Sequence, residues 1–177
     1  MNKPTFDLQL FSEAIQGKKI IYLYRVLGET DATGTMMAFA TENGNTKSKD
    51  ADSTATKDGA VRTPGVAETE ITATSILAKG DTLMDKLEAA MDTDTVIEIW
   101  EVNLMEPGVD PDVGKYKCVY YQGYMTEIEK TANAEDMVEV STTFGINGTG
   151  KAGWATVSPE QLQQADYVFR DTTVVTP

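Results

Sequence analysis

Apolar and polar side chains alternate at every second position in two stretches of this chain, the period expected of a strand with one wet face. In 66–77, "VAETEITATSIL", Glu68, Glu70, Thr72 and Thr74 share one parity while Ile71, Ala73 and Leu77 hold the other. In 136–146, "DMVEVSTTFGI", Val138, Val140, Thr142, Phe144 and Ile146 fall on one side. Five further runs read as strands. Residues 18–27, "KKIIYLYRVL", and 35–42, "TMMAFATE", flank the turn-like "GETDATG" and predict an early hairpin. Residues 95–104 are more continuously apolar and predict a central strand, while 115–131 carry Gly123 midway, where a bulge would bend the strand. A stretch near the end, "YVFRDTTVV", predicts an edge strand.

Helical spacing occurs twice. Over 80–92, Leu83, Met84, Leu87 and Met91 share a face, with Asp81 or Thr82 placed to cap the first turn. Over 158–166, Ser158 is an N-cap, Pro159 takes the first helical position and Gln161 completes a capping box. These elements predict one mainly β domain over 1–177, an antiparallel β-sandwich or barrel with one packed helix, closed by a short helix and edge strand at 158–175. One segment does not fit: from about 42 to 65 the chain has no strong period and almost no large apolar residue. It reads as a long extended loop, well beyond the roughly 12–15 residues at which structureless loops become uncommon.

Composition narrows the function. With 15 Lys and Arg against 28 Asp and Glu, the formal charge of −13 argues against tight binding to phosphate backbones, which need clustered cations. The single cysteine, Cys118, lies in an apolar run and reads as an inert buried thiol. Neither a secretion signal nor a run long enough to span a bilayer is visible, so a soluble product made in a reducing compartment, without a membrane partner, is the expectation.

Candidate chemistry is sparse. "GINGTGKA" (145–152) matches a phosphate-binding loop up to Lys151, but Ala152 stands where Ser or Thr would hold magnesium, and Gly153 and Trp154 follow where a helix should begin. The glycines more simply turn the chain between two strands. "DADSTATKDGAV" (50–61) lacks the glycine and the final Glu of a calcium loop, and "DPD" at 110–112 sits in a turn. The chain has no histidine, which removes the commonest general base. The expectation is no enzyme, cofactor or metal site. Trp100, Trp154, Tyr120, Tyr121 and Tyr124 keep open a rival, a carbohydrate- or protein-binding β-sandwich on a virion or cell surface.

The order of segments resembles a family. "GKKIIYLYRV", then "MAFATENGNTKSKDADSTATKDGAVRTPG" leading into "ETEITATSIL", then "LMDKLEAAMDTDTVIEIWEV", then "YYQGYMTEIEKTANAEDMVEVSTTFGINGTGK" are similar in arrangement to major tail tube proteins of long-tailed, non-contractile bacteriophages. The resemblance implies a virion protein, made in the host cytoplasm, whose six copies form a ring. Rings would stack into a tube through which DNA passes without specific binding. Tail terminator, tape-measure and distal tail proteins are the implied partners. It also implies that the central segment reaches a neighbouring subunit or ring. Glu42, Lys47, Lys49, Asp50, Asp52, Lys57, Asp58 and Arg62 are the candidate contact residues there. Six copies of −13 would carry −78 per ring, and an acidic lumen repels phosphates over the roughly 8–10 Å that salt allows. Candidate lumen acids are Glu68, Glu70, Glu127, Glu129 and Glu139.

Overall fold

The computed structural model describes residues 14–29 and 31–165. The elements run β1 Ile20–Val26, β2 Ala40–Thr56, β3 Gly59–Ile76, α1 Thr82–Asp92, β4 Ile97–Pro107, β5 Lys115–Thr131, β6 Glu139–Ile146, β7 Lys151–Thr156 and α2 Pro159–Ala165. All pairings are antiparallel, in the order β1-β4-β5-β6-β3-β2, and β7 adds to the first half of β5.

The sheet curls strongly. Three strand spacings, about 14 Å on a flat sheet, separate β1 from β6. The Tyr24 and Phe144 rings on those strands are nevertheless only 5.3 Å apart. Burial drives the curl: Tyr22, Ile71, Ile99, Tyr121, Val140 and Phe144 all point into one core. α1 adds Leu83, Met84, Leu87 and Ala90 to it. Leu87 is fully buried, worth about 2–3 kcal/mol relative to exposure. Asp81 caps α1 by accepting from the Leu83 and Met84 amides at 3.0 and 3.2 Å, and Lys130 of β5 pairs with Glu88 on its outer side. The curl stays open between β1 and the start of β2, where Tyr22, Tyr24 and Met37 help to line a cleft of about 600 Å³.

A second core lies on the other face of β1, β4 and β5, built from Ile21, Leu23, Val102, Cys118 and Val157. Leu162 and Ala165 of α2 pack against it. Both faces of these strands are thus covered, which is why 95–104 reads as continuously apolar. Burial pushes the Cys118 thiol pKa up, in keeping with an inert side chain. The capping box on α2 forms as its sequence predicts: the Ser158 amide donates to Gln161 Oε1 at 2.9 Å, and the Gln161 amide to Ser158 Oγ at 3.3 Å.

Three expectations change. The early hairpin does not form: β1 pairs with β4, and 35–42 meets it only at one Tyr24–Thr35 bridge. The bulge in β5 falls between Met125 and Glu127 rather than at Gly123. Gly123 answers a different need, because a Cβ there would overlap the Gly145 carbonyl and sit 2.9 Å from Ile146 Cδ1. The segment 42–65 is not a loop, since β2 and β3 form one long hairpin through it. The edge strand at 167–175 lies outside the described residues.

A charge is half-sunk in the second face. Arg25 Nε donates to Glu98 at 2.7 Å, Tyr120 Oη donates to the other carboxylate oxygen at 2.7 Å, and the guanidinium lies 5.0 Å from the Trp100 ring centre. Burial alone would raise the Glu98 pKa, but the bonds from Arg25 and Tyr120 win and hold it below the usual carboxylate value. The network therefore adds stability above the unfolded Glu pKa of about 4.3 and loses it as pH falls through the lower folded value.

Arg25→Met strips this carboxylate of its cation, so it should destabilise the fold by about 2–3 kcal/mol at pH 7. The deficit should shrink toward pH 4 as Glu98 takes up a proton; urea unfolding at both pH values measures it, and a pH-independent deficit would contradict this role. In the same assay Gly123→Ala should cost about 2 kcal/mol by forcing β5 off β6. Gly153→Ala, with nothing within 4 Å of the added Cβ, should stay within about 0.5 kcal/mol of wild type.

Candidate functional site: a projecting arm and an acidic sheet face

β3 leaves β6 after the Thr69–Ile146 pair and continues, bonded only to β2, down to Gly59. The two-residue turn Lys57-Asp58 joins the strands, and Gly59 takes a positive φ of 128° that side chains disfavour. The arm has no buried face. Every residue from 45 to 66 is exposed, including Val61 and Val66. A register shift between the Lys49–Ala67 and Ala51–Pro64 pairs places a bulge in β3, where Gly65 and Val66 lie opposite Asp50.

Polar contacts fasten the arm's base to the body. Asn45 Nδ2 donates to Glu101 at 2.6 Å and to Tyr121 Oη at 2.8 Å, tying β2 to β4 and β5 across the curl. Lys47 Nζ donates to the Thr149 carbonyl at 3.4 Å and lies 5.9 Å from the Tyr121 ring centre. Burial, reinforced by Glu101, raises the Tyr22 hydroxyl pKa beyond its usual range, and burial raises that of Tyr121 as well, so both act as neutral donors. Lys47 thus serves the body rather than the arm's free portion. Lys49, Asp50, Asp52, Lys57, Asp58 and Arg62 are the candidate contact residues that lie along the exposed ribbon.

The second feature comes from register. Three rows cross β3, β6 and β5 on the face away from α1: Glu70–Gly145–Tyr124, Thr72–Thr143–Glu127 and Thr74–Ser141–Glu129. Glu139 pairs with Ile76 and Thr131 in the next row, and Glu68 extends the same parity of β3. All five candidate lumen acids therefore share one face. Glu42 joins them, because it pairs with Thr74 at the start of β2 instead of lying on the free arm. Hydroxyl side chains fill most remaining positions, and no Lys or Arg occupies this face of the described β2, β3, β6 and the second half of β5. Lys130, of opposite parity, points to α1.

The other candidates do not assemble into sites. Lys151 opens β7, paired with Tyr120, where a phosphate-binding loop needs a helix, and the positive φ of Gly148 (78°) and Gly150 (77°) make the turn before it. Among the described residues no cluster of carboxylates and Cys has the arrangement of a metal site. The five aromatics do not form one platform: Trp100 and Tyr120 pack at 5.3 Å with their rings tilted by 44° and Arg25 over Trp100, Tyr121 is buried, and the exposed Tyr124 and Trp154 lie on opposite faces of the sheet.

Comparison with known proteins supplies the context. The chain is 35% identical over 157 residues to a tail protein of Staphylococcus phage phiMR25, covering 86% of this chain and 80% of the relative. Its fold matches the SPP1 tail tube with a TM-score of 0.72 at 16% identity, covering 93% of this chain and 91% of that one. It also matches the tail of an empty gene transfer agent particle, refined with C6 symmetry, with a TM-score of 0.58 at 14% identity, covering 82% and 100%. Residues 14–151 match the family model described as phage tail tube protein. The chain belongs to the phage tail tube protein family and is a structural component of a phage virion's tail.

Proposed function

We propose that six copies of this chain close into a ring with the face of Glu42, Glu68, Glu70, Glu127, Glu129 and Glu139 turned inward, and that stacked rings form the tube of a long, non-contractile tail. The observation that carries this reading is the absence, among the described residues of β2, β3, β6 and the second half of β5, of any cation on that face, although 15 Lys and Arg are distributed along the chain. Same-side residues repeat about every 7 Å along a strand, shorter than the Debye length in physiological salt, so neighbouring carboxylates act as one field on passing DNA. Phosphates meet repulsion everywhere and a favourable binding point nowhere. DNA slides.

The chain acts as a structural subunit without catalysis, with the arm as its assembly element. A ribbon that buries nothing has little to offset its ordering entropy, whereas a neighbour's surface can offset that cost through main-chain and polar contacts. Tail terminator, tape-measure and distal tail proteins would cap, measure and anchor the tube. C6 symmetry in the gene transfer agent tail supports the ring of six.

Excising residues 50–66 and joining Lys49 to Ala67 through Asn-Gly removes the free ribbon but keeps the base. Negative-stain electron microscopy of concentrated protein should show hollow tubes for wild type and none for this variant, with strand circular dichroism retained; tubes from the shortened chain would exclude the arm from assembly. A cysteine at Thr143, in a Cys118→Ser background, tests the lumen. It should react with a small maleimide in both free subunit and tube, but with a bulky polymer-maleimide only in the free subunit. Equal bulky labelling of tubes would place the acidic face outside.

A further inference from the structure

The dipeptide Asn-Gly occurs twice in this chain, at Asn43-Gly44 and Asn147-Gly148, and the fold treats the two differently. An Asn followed by Gly cyclises without a catalyst: the Gly amide nitrogen attacks the Asn side-chain carbonyl carbon, and no Cβ hinders its approach. Closing that five-membered ring needs an unbonded amide and a backbone free to turn. Asn43 and Gly44 are half-buried within the β2–β3 ladder, paired with Ala73 and Thr72. The Thr72 hydroxyl packs beside Gly44, where a Cβ would sit 2.5 Å from its oxygen. Cyclisation there first requires the strands to separate.

The second site has neither restraint. Asn147, Gly148 and Thr149 lie in the turn between β6 and β7 and are exposed. Among the described residues the Gly148 amide donates no hydrogen bond, and nothing lies within 4 Å of the position a Cβ on Gly148 would take. The turn is anchored on either side of this peptide without covering it. The Asn147 amide donates to the Gln122 carbonyl at 2.7 Å, and Gly150 lies so close to the Tyr121 ring that a Cβ would overlap it. A cation stands beside the turn as well, because Lys47 Nζ donates to the Thr149 carbonyl at 3.4 Å. That is two residues from Asn147, within the roughly 8–10 Å over which charges act in physiological salt.

We propose that Asn147 is a self-modification site, converted to a carboxylate in the folded subunit by attack of the Gly148 nitrogen, and that Lys47 pairs with the new charge, while Asn43 stays an amide. The Gly148 nitrogen gives its proton to solvent base and bonds to Asn147 Cγ; ammonia leaves with a proton from water, and a second water opens the cyclic imide. Breaking the bond from nitrogen to Cγ restores the main chain with Asp at 147. Breaking the bond from nitrogen to the residue-147 main-chain carbonyl leaves isoaspartate, one methylene longer in the main chain, within a turn that β5 holds at both ends. Either product adds one negative charge to the formal −13 at the base of the arm, where the body otherwise meets Lys47 with a carbonyl and a ring face.

Incubating the full chain, folded and in urea, at neutral and mildly alkaline pH, followed by digestion and mass spectrometry, tests the site. In urea both Asn residues should lose ammonia at similar rates. In the folded chain Asn147 should stay within about threefold of its unfolded rate and react faster as pH rises, whereas Asn43 should fall about tenfold or more below its own, since its ladder must open first. Folded Asn147 as inert as Asn43, or equal loss at both, overturns the site. A carbodiimide, which joins a lysine amine to a carboxylate in contact with it, tests the pairing. It should couple Lys47 to residue 147 in Asn147→Asp and in aged wild type, but not in fresh wild type or Asn147→Ser; no coupling in Asn147→Asp overturns the ion pair. None of these readouts depends on tube formation.

Discussion

A two-stranded ribbon that is wet on both faces has nothing to bury, and that constraint governs the organisation of this chain. Within the body, each strand repays its ordering by placing alternate side chains in one of two cores. Beyond Ala67 the same strands continue with exposed residues only, held by the β2–β3 ladder and by Asn45 and Lys47 at the base. Such a ribbon is marginal alone in water. Its stabilising surface has to come from outside the subunit, and in the proposed tube that surface is another copy.

The sheet divides its faces accordingly. Around β1, β4 and β5 both sides are covered, by the main core on one and by β7 and α2 on the other, giving a rigid spine. Around β2, β3 and β6 one side remains wet and acidic. Ile71, Ala73, Val140 and Phe144 hold the inner side so firmly that a register slip of one residue would bury the carboxylates of Glu70 and Glu139. Core packing therefore enforces the charge pattern opposite: the apolar parity of β3 and β6 keeps the acids in line.

Much of this was legible in the sequence where a single period dominates. The alternation of 66–77 and 136–146 predicted both strands and their wet faces, Asp81 or Thr82 and the Ser158–Gln161 pair marked the helix starts, and the parity of β3 pointed to Glu68 and Glu70. The arm was not legible as strands, because a period of two shows only when one face is apolar, and "TENGNTKSKDADSTAT" is polar on both. The "KDG" turn was the available signal. The early hairpin failed for a tertiary reason: Ile21, Tyr22, Leu23 and Tyr24 need cover on both sides, which β4 in mid-sheet provides and a short local partner does not. Gly123 shows a similar ambiguity, since a glycine in a strand can mark a bend or a close approach, and only the neighbouring Gly145 backbone decides between them.

Amide hydrogen exchange across residues 48–67, compared between free subunit and assembled tube, tests most directly whether the arm gains its stability from other copies. The account predicts near-unprotected exchange in the free subunit, protected β3 amides at Ile71 and Ala73 in both states, and slowing of arm amides by about a hundredfold or more in the tube. Arm amides as protected in the free subunit as in the tube would contradict it.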